Sequence, residues 1–232
     1  MPRDQRGRVA ARHPGSRASA PKWRNRQTRT LQERMGITPV EVRILSSALM
    51  QDTSFPFSHT LNFEVQAAPS VMRRKHHALI ALRDADGSFI LSRKEVYPVG
   101  IYRLIGGGVE EDDETSQHAA ARELSEETTL TADAADLTPV CRVKAHIFEE
   151  KSAETFDFTL DLFEYYLPDD QTLKLRDDEL EKVRSFTKAD VESLITEYES
   201  LPDTVVPDYG FAWGDYGKLF GPVHRFMLDD LL

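Results

Sequence analysis

The sequence predicts an α/β domain that follows a long basic tail. Residues 155–167 alternate apolar and polar side chains, and residues 138–148 form a second long strand pattern. Residues 118–127 are good helix formers, and a capping box at Thr187 begins another helix. No apolar run approaches the roughly 20 residues that span a membrane, so no membrane partner is expected.

The first 70 residues are predicted to be a disordered basic tail. Residues 1–50 contain eleven Lys or Arg and three Asp or Glu, whereas the whole chain has a net charge of −10. The tail lacks a sustained apolar period, which argues against a packed core. A nucleic-acid arm and a transit peptide are the functional alternatives. Because the rest of the chain is acidic, a nucleic-acid partner is disfavoured.

A third interpretation of the tail is an over-extended reading frame. Segments 23–29 and 42–45 can be encoded by DNA that resembles the D-arm region and the TψC arm of a transfer-RNA gene. On this interpretation the natural start is Met50 or Met72, and the basic charge of the tail has no function.

The folded domain is expected to start near Val71 and to open with a β-hairpin. Strands at 76–83 and 88–93 flank a turn at 84–87, whose Asp-Ala-Asp-Gly sequence suits a tight connection. A short strand at 101–105 then leads to the segment around which the chain is organised.

That segment consists of three glycines, an acidic loop and a helix rich in carboxylates. The glycines at 106–108 are expected to form a turn, and acidic residues fill positions 110–114. Thr115 or Ser116 can cap the helix that follows.

Three glutamates of this helix form a candidate metal site. Helical spacing places Glu123 and Glu127 one turn apart, with Glu126 beside them. Like charges at this spacing destabilise a bare helix, and Mg²⁺ or Mn²⁺ would offset the repulsion because both prefer carboxylate oxygens. The alternative is a solvated acidic helix.

The same residues resemble the Nudix hydrolase signature. In it, a glycine, five residues, a Glu and seven residues precede Arg-Glu-apolar-x-Glu-Glu-x-Gly-apolar. The matching positions are Gly108, Glu114, Arg122, Glu123, Leu124, Glu126, Glu127 and Leu130. Thr129 replaces the last glycine, which usually closes the helix in a left-handed conformation that a β-branched residue resists. We therefore expect this helix to end differently.

The resemblance implies a Nudix-type α/β/α sandwich, with a mixed sheet between helices, over residues 71–232. It implies a Mg²⁺- or Mn²⁺-dependent hydrolase that cleaves the diphosphate linkage of a nucleoside diphosphate derivative by attack of water. Arg122 is expected to hold the catalytic carboxylates in place. The expected metal ligands are Glu123, Glu126, Glu127 and a backbone carbonyl near Gly107 or Gly108.

The general base remains open between two kinds of residue. Family members use either a box glutamate, for which we choose Glu126, or a carboxylate outside the box. The outside candidates lie in the turn after the first long strand and are Glu149, Glu150 and Glu154.

Aromatic residues near the glycines could contact the nucleotide. Tyr102 and Arg103 lie just before the metal loop and are the candidate substrate-binding residues, although core packing explains Tyr102 equally well. Residues 201–217 are predicted to be a loop rich in aromatics, suited either to base stacking or to packing against a C-terminal helix at 222–231. The second interpretation is preferred.

The single cysteine, Cys141, excludes an internal disulfide and fits a reducing compartment such as the cytoplasm. It lies among apolar residues, which favours a buried structural thiol over a nucleophile. The competing function is a catalytically weak Nudix-like binding or regulatory module, which Thr129 alone supports. The partner expected is a small nucleotide, and a homodimer remains open.

Overall fold

A mixed β-sheet forms the centre of the fold in the computed structural model, which describes residues 54–113, 115–176 and 180–232. The predicted disorder of residues 1–53, the proposed reading-frame boundary at Met50 and the signature residue Glu114 lie outside the described residues. The seven strands of the sheet in the described ranges are β1 (Phe57–Val65), β2 (His76–Arg83), β3 (Phe89–Lys94), β4 (Ile105–Gly108), β5 (Thr138–Glu149), β6 (Glu154–Tyr166) and β7 (Leu180–Phe186).

The strand order is β1-β5-β6-β2-β3-β7, and β4 pairs with β2. The pairs β1–β5 and β2–β6 are parallel, and the remaining pairs are antiparallel. Strand β2 lies in the middle of the sheet. It pairs with β6 along one edge, and its other edge pairs with β4 at residues 77–80 and with β3 at residues 82–83. The glycines at the end of β4 therefore emerge near the middle of the sheet.

Helices cover both faces of the sheet. The helices are α1 (Ser116–Glu127), α2 (Lys188–Glu199) and α3 (Trp213–Leu231). Ala78 and Ile80 of β2 pack in one apolar cluster with α1, whereas Leu79 and Ala81 pack in a second cluster with α2 and α3. Because β2 is buried on both sides, residues 78–82 in its centre form a continuous apolar run. The predicted α/β/α sandwich with a mixed sheet is confirmed.

The domain begins earlier than the predicted start at Val71, so the assignment of residues 57–65 to a disordered tail is wrong. Strand β1 runs parallel to β5 from the pair Phe57–Cys141 to the pair Val65–Glu149. The inward-facing Leu61 and Val65 alternate with polar neighbours, so a period-two signal is present, although it covers only a few residues.

Glycines 106–108 lie in strand β4 and do not form the predicted turn, and the strand predicted at 101–105 starts only at Ile105. Gly106 has φ 129°, and a Cβ there would lie 2.3 Å from the carbonyl oxygen of Ala78. The glycine thus lets β4 approach β2 at a point where any side chain would clash.

Helix α3 begins at Trp213, nine residues before the predicted start at Pro222. A Cβ on Gly217 would lie 2.3 Å from the carbonyl oxygen of Tyr198 in α2, and one on Gly221 would lie 3.3 Å from the Tyr198 Cβ. These glycines lie on the face that crosses α2, where small residues permit close contact. The glycine content of this segment therefore predicts a loop, whereas the chain forms a helix that crosses α2.

The other predicted elements are confirmed. The turn between β2 and β3 uses Gly87 at φ 78°, the long hairpin β5–β6 is present, and the Thr187 capping box begins α2. The segment between α2 and α3 contains a two-stranded sheet of β8 (Val205–Val206) and β9 (Phe211–Ala212). Within the described ranges, every helix is too short or too polar to cross a membrane.

Candidate functional site

Helix α1 is fixed at its start and along its inner face. The Thr115 hydroxyl accepts a hydrogen bond from the His118 N–H at 3.2 Å, which caps the first turn. Ala119 and Ala120 are buried against the sheet with Leu124. Because the alanine side chains are small, the helix lies close to β4, and its polar face meets the end of that strand.

Arg122 binds the groups that surround the end of β4. Its guanidinium donates to both carboxylate oxygens of Asp113, at 3.1 and 3.0 Å, and to the Gly108 carbonyl at 2.8 Å. It also donates to Glu123 at 2.9 Å and to Glu126 at 3.1 Å. Only the planar guanidinium offers this many donors in a fixed arrangement. Arg122 therefore holds the loop, strand and carboxylates in one geometry.

Glu123 and Glu127 lie directly against the glycines. The Glu127 carboxylate accepts the Gly106 N–H at 3.1 Å. A Cβ on Gly107 would lie 2.5 Å from the Glu123 carboxyl group, so glycine leaves the space in which that carboxyl lies. Gly107 is therefore required because any side chain there would occupy the space of the Glu123 carboxyl group, whereas Gly106 is required by its backbone conformation.

Burial raises the pKa of Glu123 and of Glu127, because removal from water disfavours their charged forms. Arg122 opposes this effect at Glu123, and Arg103 opposes it at Glu127. A bound cation would offset the remaining cost of two buried carboxylates one turn apart. Their oxygens and the second lone pair of the Gly108 carbonyl form the donor set that Mg²⁺ prefers, so these residues fit a hard divalent cation.

A family model for the NUDIX domain matches residues 72–209, which is more than half of the chain. The chain belongs to the NUDIX domain family. As a Nudix hydrolase it is an enzyme that acts on phosphoanhydride bonds. The residues from Gly108 to Leu130 are its Nudix box.

Solved structures with a similar fold include the dihydroneopterin triphosphate pyrophosphohydrolase of E. coli, at 21% identity and a TM-score of 0.40, covering 53% of this chain and 84% of that chain. An Ap4A hydrolase of C. elegans in a binary complex has 22% identity and a TM-score of 0.41, covering 67% and 96%. A MutT protein from Methanosarcina mazei Go1 has 17% identity and a TM-score of 0.37, covering 76% and 98%. No curated protein sequence matches significantly. The family assignment therefore depends on the domain match.

The Nudix box ends without a left-handed residue, as the substitution at Thr129 predicts. Thr128 caps α1 at φ −133°, and its hydroxyl donates to the Leu124 carbonyl at 2.6 Å. The Thr129 hydroxyl donates to the Thr172 carbonyl and accepts the Lys174 N–H, both at 3.0 Å. Thr129 thus attaches the end of the helix to the 172–174 segment.

The two candidate substrate-binding residues lie in the protein interior or against it. Arg103 is buried and donates to the Gly106 carbonyl at 2.9 Å. Burial disfavours the charged guanidinium, but Tyr97, Tyr216 and Glu127 outweigh this effect, so the pKa of Arg103 is raised. In this position Arg103 supports the strand that carries the box glycines.

Tyr102 packs its ring 5.0 Å from the Phe186 ring, centroid to centroid, and is partly buried. Among the aromatic residues of 201–217, Trp213 and Tyr216 belong to the first turn of α3 and are buried in the core, whereas Tyr209 is exposed. This agrees with the preferred interpretation, packing of the C-terminal helix.

The candidate bases outside the box differ sharply in environment. Glu149 is buried, accepts the Ala68 N–H at 2.7 Å and is bound by Arg73 and Ser152. Although its burial opposes ionisation, these hydrogen bonds lower the pKa of Glu149 to about 2. Glu149 therefore anchors the linker between β1 and β2. Glu150 and Glu154 are exposed.

Cys141 is buried, and desolvation raises the pKa of its thiol, with the neighbouring Asp230 carboxylate adding to the effect. The thiol is therefore protonated at neutral pH, as expected for a residue that is not a nucleophile.

Asp113 is the site residue that sequence reasoning missed. It lies in the acidic loop, where nothing distinguishes it from its neighbours, yet its buried carboxylate receives two bonds from Arg122 and the Glu110 N–H at 2.8 Å. An arginine inside an acidic helix implied a partner, but the sequence did not reveal which acid of the loop it would be.

Proposed function

We propose that the chain hydrolyses the diphosphate linkage of a nucleoside diphosphate derivative with the help of Mg²⁺ or Mn²⁺. The observation that carries the proposal is the arrangement of Glu123, Glu126 and Glu127 around the end of β4, held by Arg122 and the Gly106 N–H. The cations would neutralise the diphosphate oxygens and lower the pKa of the attacking water.

The roles of the chain's own residues follow from their environments. Glu123, Glu127 and the Gly108 carbonyl are the proposed inner ligands. The Glu127 side chain is buried, the Glu123 side chain is 14% exposed, and both carboxylates lie against the box glycines. Glu126 is the proposed general base, because its side chain is 59% exposed and can meet a water molecule. Glu150 and Glu154 are the alternatives; Glu149 is disfavoured because its oxygens are already bonded.

The competing function is a Nudix-like binding or regulatory module without turnover, and Thr129 is the only residue that favours it. The two hydrogen bonds of the Thr129 side chain account for that residue by its contact with the 172–174 segment. No carboxylate of the box is replaced. We therefore favour an active hydrolase.

The first prediction is that Glu127→Gln lowers kcat by about two to three orders of magnitude, the usual cost of losing a main electrostatic stabiliser. The substitution keeps the volume of the side chain, so the fold should persist, as circular dichroism would verify. Activity is measured as monophosphate release from ADP-ribose, dinucleoside polyphosphates and nucleoside triphosphates with Mg²⁺.

The matched control is Glu192→Gln, an exposed glutamate on α2, which should leave kcat unchanged. Turnover of Glu127→Gln near that of the parent, or full parent activity in excess chelator, would contradict the metal assignment. Comparison of Glu126→Gln with Glu150→Gln and Glu154→Gln identifies the base.

A further inference from the structure

A second group of side chains that could ligate a metal lies on the sheet face opposite α1. The nitrogen of His59, the sulfur of Cys141 and a carboxylate oxygen of Asp230 lie within 4.8 Å of one another. The His59 Nε2 and the Asp230 Oδ2 are 2.7 Å apart. We call these three residues the His59–Cys141–Asp230 cluster.

Three separate elements contribute to the cluster. His59 lies two residues after Phe57, which is registered with Cys141 in the parallel pair β1–β5, so the His59 and Cys141 side chains share a face. Asp230 reaches them from the last turn of α3. Cys141 belongs to the apolar cluster on the α2 and α3 side of the sheet, whereas the Nudix box lies on the α1 side.

The ring of His59 is held in a defined orientation. It stacks on Phe226 with the ring centroids 3.9 Å apart and the planes 3° from parallel. Phe226 lies one turn before Asp230 on the same helix. One side of α3 therefore provides both the ring that stacks on His59 and the carboxylate that contacts the His59 Nε2. A histidine held in this way is oriented for coordination before a metal arrives.

The surroundings of Asp230 favour a positive charge next to its carboxylate. Its side chain is only 7% exposed. The last residues of α3 are Leu228, Asp229, Asp230 and Leu231, so the final turn contains two acids and no base. The helix dipole disfavours negative charge there. A cation bound between Asp230 and the neighbouring elements would relieve both costs.

We propose that the His59–Cys141–Asp230 cluster binds a zinc-class divalent cation through one nitrogen, one sulfur and one oxygen. Zn²⁺ accepts this mixture of donors in tetrahedral geometry, whereas Mg²⁺ avoids thiolate. In a tetrahedral site the nitrogen and oxygen would be about 3.3 Å apart, so the observed pair needs to open by about half an ångström. The His59 side chain is 24% exposed, which leaves an entry path and room for a water as fourth ligand.

The consequence is a metal cross-link from the first strand of the sheet to the last turn of the last helix. It joins β1, β5 and α3 on the side of the sheet that α2 and α3 cover, whereas the Nudix box lies on the α1 side. Bound metal should therefore change stability more than it changes the chemistry at the Nudix box.

The test uses the full chain without a polyhistidine tag, stripped by chelator and kept in excess Mg²⁺ to occupy the box. Titration with Co²⁺ should produce a thiolate-to-cobalt charge-transfer band and the intense visible bands of a tetrahedral ion, saturating at one ion per chain. Zn²⁺ should abolish both sets of bands. Cys141→Ser should lose the charge-transfer band, and His59→Gln should bind Co²⁺ at least tenfold more weakly.

Two controls make the outcome specific. His146→Gln removes an exposed histidine that pairs with Asp157 at 2.7 Å without a nearby thiol, and it should keep all bands. Glu127→Gln should keep them as well, because the box is a separate site. Zn²⁺ should raise the melting temperature of the parent chain but not that of His59→Gln, a readout that remains valid if Cys141→Ser folds poorly.

The proposal is overturned if no charge-transfer band appears, if Cys141→Ser retains it, or if Zn²⁺ does not raise the melting temperature of the parent. Any of these results would leave the cluster as a hydrogen-bonded network in which His59 and Cys141 donate to Asp230.

Discussion

Thr129 shows how a single residue can be exchanged in a family motif when the surrounding contacts change with it. The hydroxyl group makes two hydrogen bonds that glycine could not make, one to the Thr172 carbonyl and one from the Lys174 N–H. The backbone N–H of Thr129 also donates to the Lys174 carbonyl at 2.8 Å. The end of α1 and the 172–174 segment are therefore coupled through this side chain.

Thr129→Gly should destabilise the domain by about 1 to 2 kcal/mol, because it removes these side-chain bonds and adds backbone freedom to the unfolded chain. Urea unfolding and thermal melting measure the effect. Thr131→Gly, an exposed threonine two residues further on, is the matched control and should cost less. A higher melting temperature in Thr129→Gly would mean that the helix end favours a left-handed residue after all.

His224 makes a pH-dependent contribution to stability. It is fully buried, with its Nδ1 2.6 Å from the Phe220 carbonyl and its ring 5.1 Å from the Tyr198 ring. Desolvation, with the charge of Arg103 adding to it, lowers the pKa of His224 to about 4, although the bond to Phe220 opposes the shift. The unfolded chain therefore binds a proton near pH 6.5 that the folded chain refuses until about pH 4.

The stability that depends on neutral His224 is complete above pH 6.5 and is lost as the pH falls toward 4. Between pH 7 and pH 5 the loss should be about 2 kcal/mol. Urea unfolding at both pH values measures it, and His224→Leu should remove this part of the pH dependence. His146→Gln, at an exposed site, should not. Equal pH dependence in His224→Leu and the parent would refute the assignment.

The sequence predicted the residues of the site better than their surroundings. The spacing from Gly108 to Glu127 is local, so helical geometry alone places Glu123 and Glu127 together. Asp113 could not be singled out, because its bond to Arg122 depends on how the acidic loop folds back. The sequence predicts a substrate contact for Arg103, whereas its burial depends on α3, which packs from more than 100 residues away.

At the scale of elements, helix α3 illustrates why composition misled the prediction. Gly214, Gly217 and Gly221 are spaced by three and four residues, so they share one helical face, yet glycine and Pro222 are usually signs of a loop. Gly217 and Gly221 are needed because α2 packs against them. A tertiary contact of this kind cannot be recognised from the local sequence. Strand β4 was misassigned for the same reason, because its glycines face β2 and Glu123.

Gly217→Ala should destabilise the domain by about 1 to 3 kcal/mol, because the new methyl group would clash with the Tyr198 carbonyl and push α3 from α2. Alanine otherwise favours a helix, so the intrinsic propensity acts in the opposite direction. Gly221→Ala is the graded control, since its methyl group would meet the Tyr198 Cβ at 3.3 Å, and it should cost less. Thermal melting that ranks Gly217→Ala at or above the parent would rule out the close crossing.

At the scale of the whole molecule, strand β1 and helix α3 pack against each other, and both lie outside residues 72–209, the matched NUDIX region. The Gln66 N–H donates to Asp215 at 3.0 Å, and Lys218 donates to the Glu64 carbonyl at 2.9 Å. His59 and Asp230 add the contact at the far end of the strand. The sheet would therefore lose an edge, and α3 a partner, if β1 were removed.

A chain starting at Met50 should melt at the same temperature as the full chain, because it keeps β1 whole. A chain starting at Met72 lacks β1, exposes the β5 edge and should melt at least several degrees lower, as expected for the loss of a few kcal/mol in a domain of this size. Similar melting of the two chains would show that β1 contributes little. A lower melting temperature for the Met50 chain would give residues 1–49 a structural role.

The contacts between β1 and α3 join residues 149 to 171 positions apart, and this separation sets the order in which the molecule can be assembled. During synthesis the chain leaves the ribosome from its N-terminus. Strand β1 therefore appears before the other strands of the sheet, and its partner α3 appears at the end. Contacts of such long range raise the contact order and slow folding. Until α3 is released, the face of β1 and β5 that this helix covers is exposed to other nascent chains. Chaperone demand in this protein should therefore be greatest late in translation.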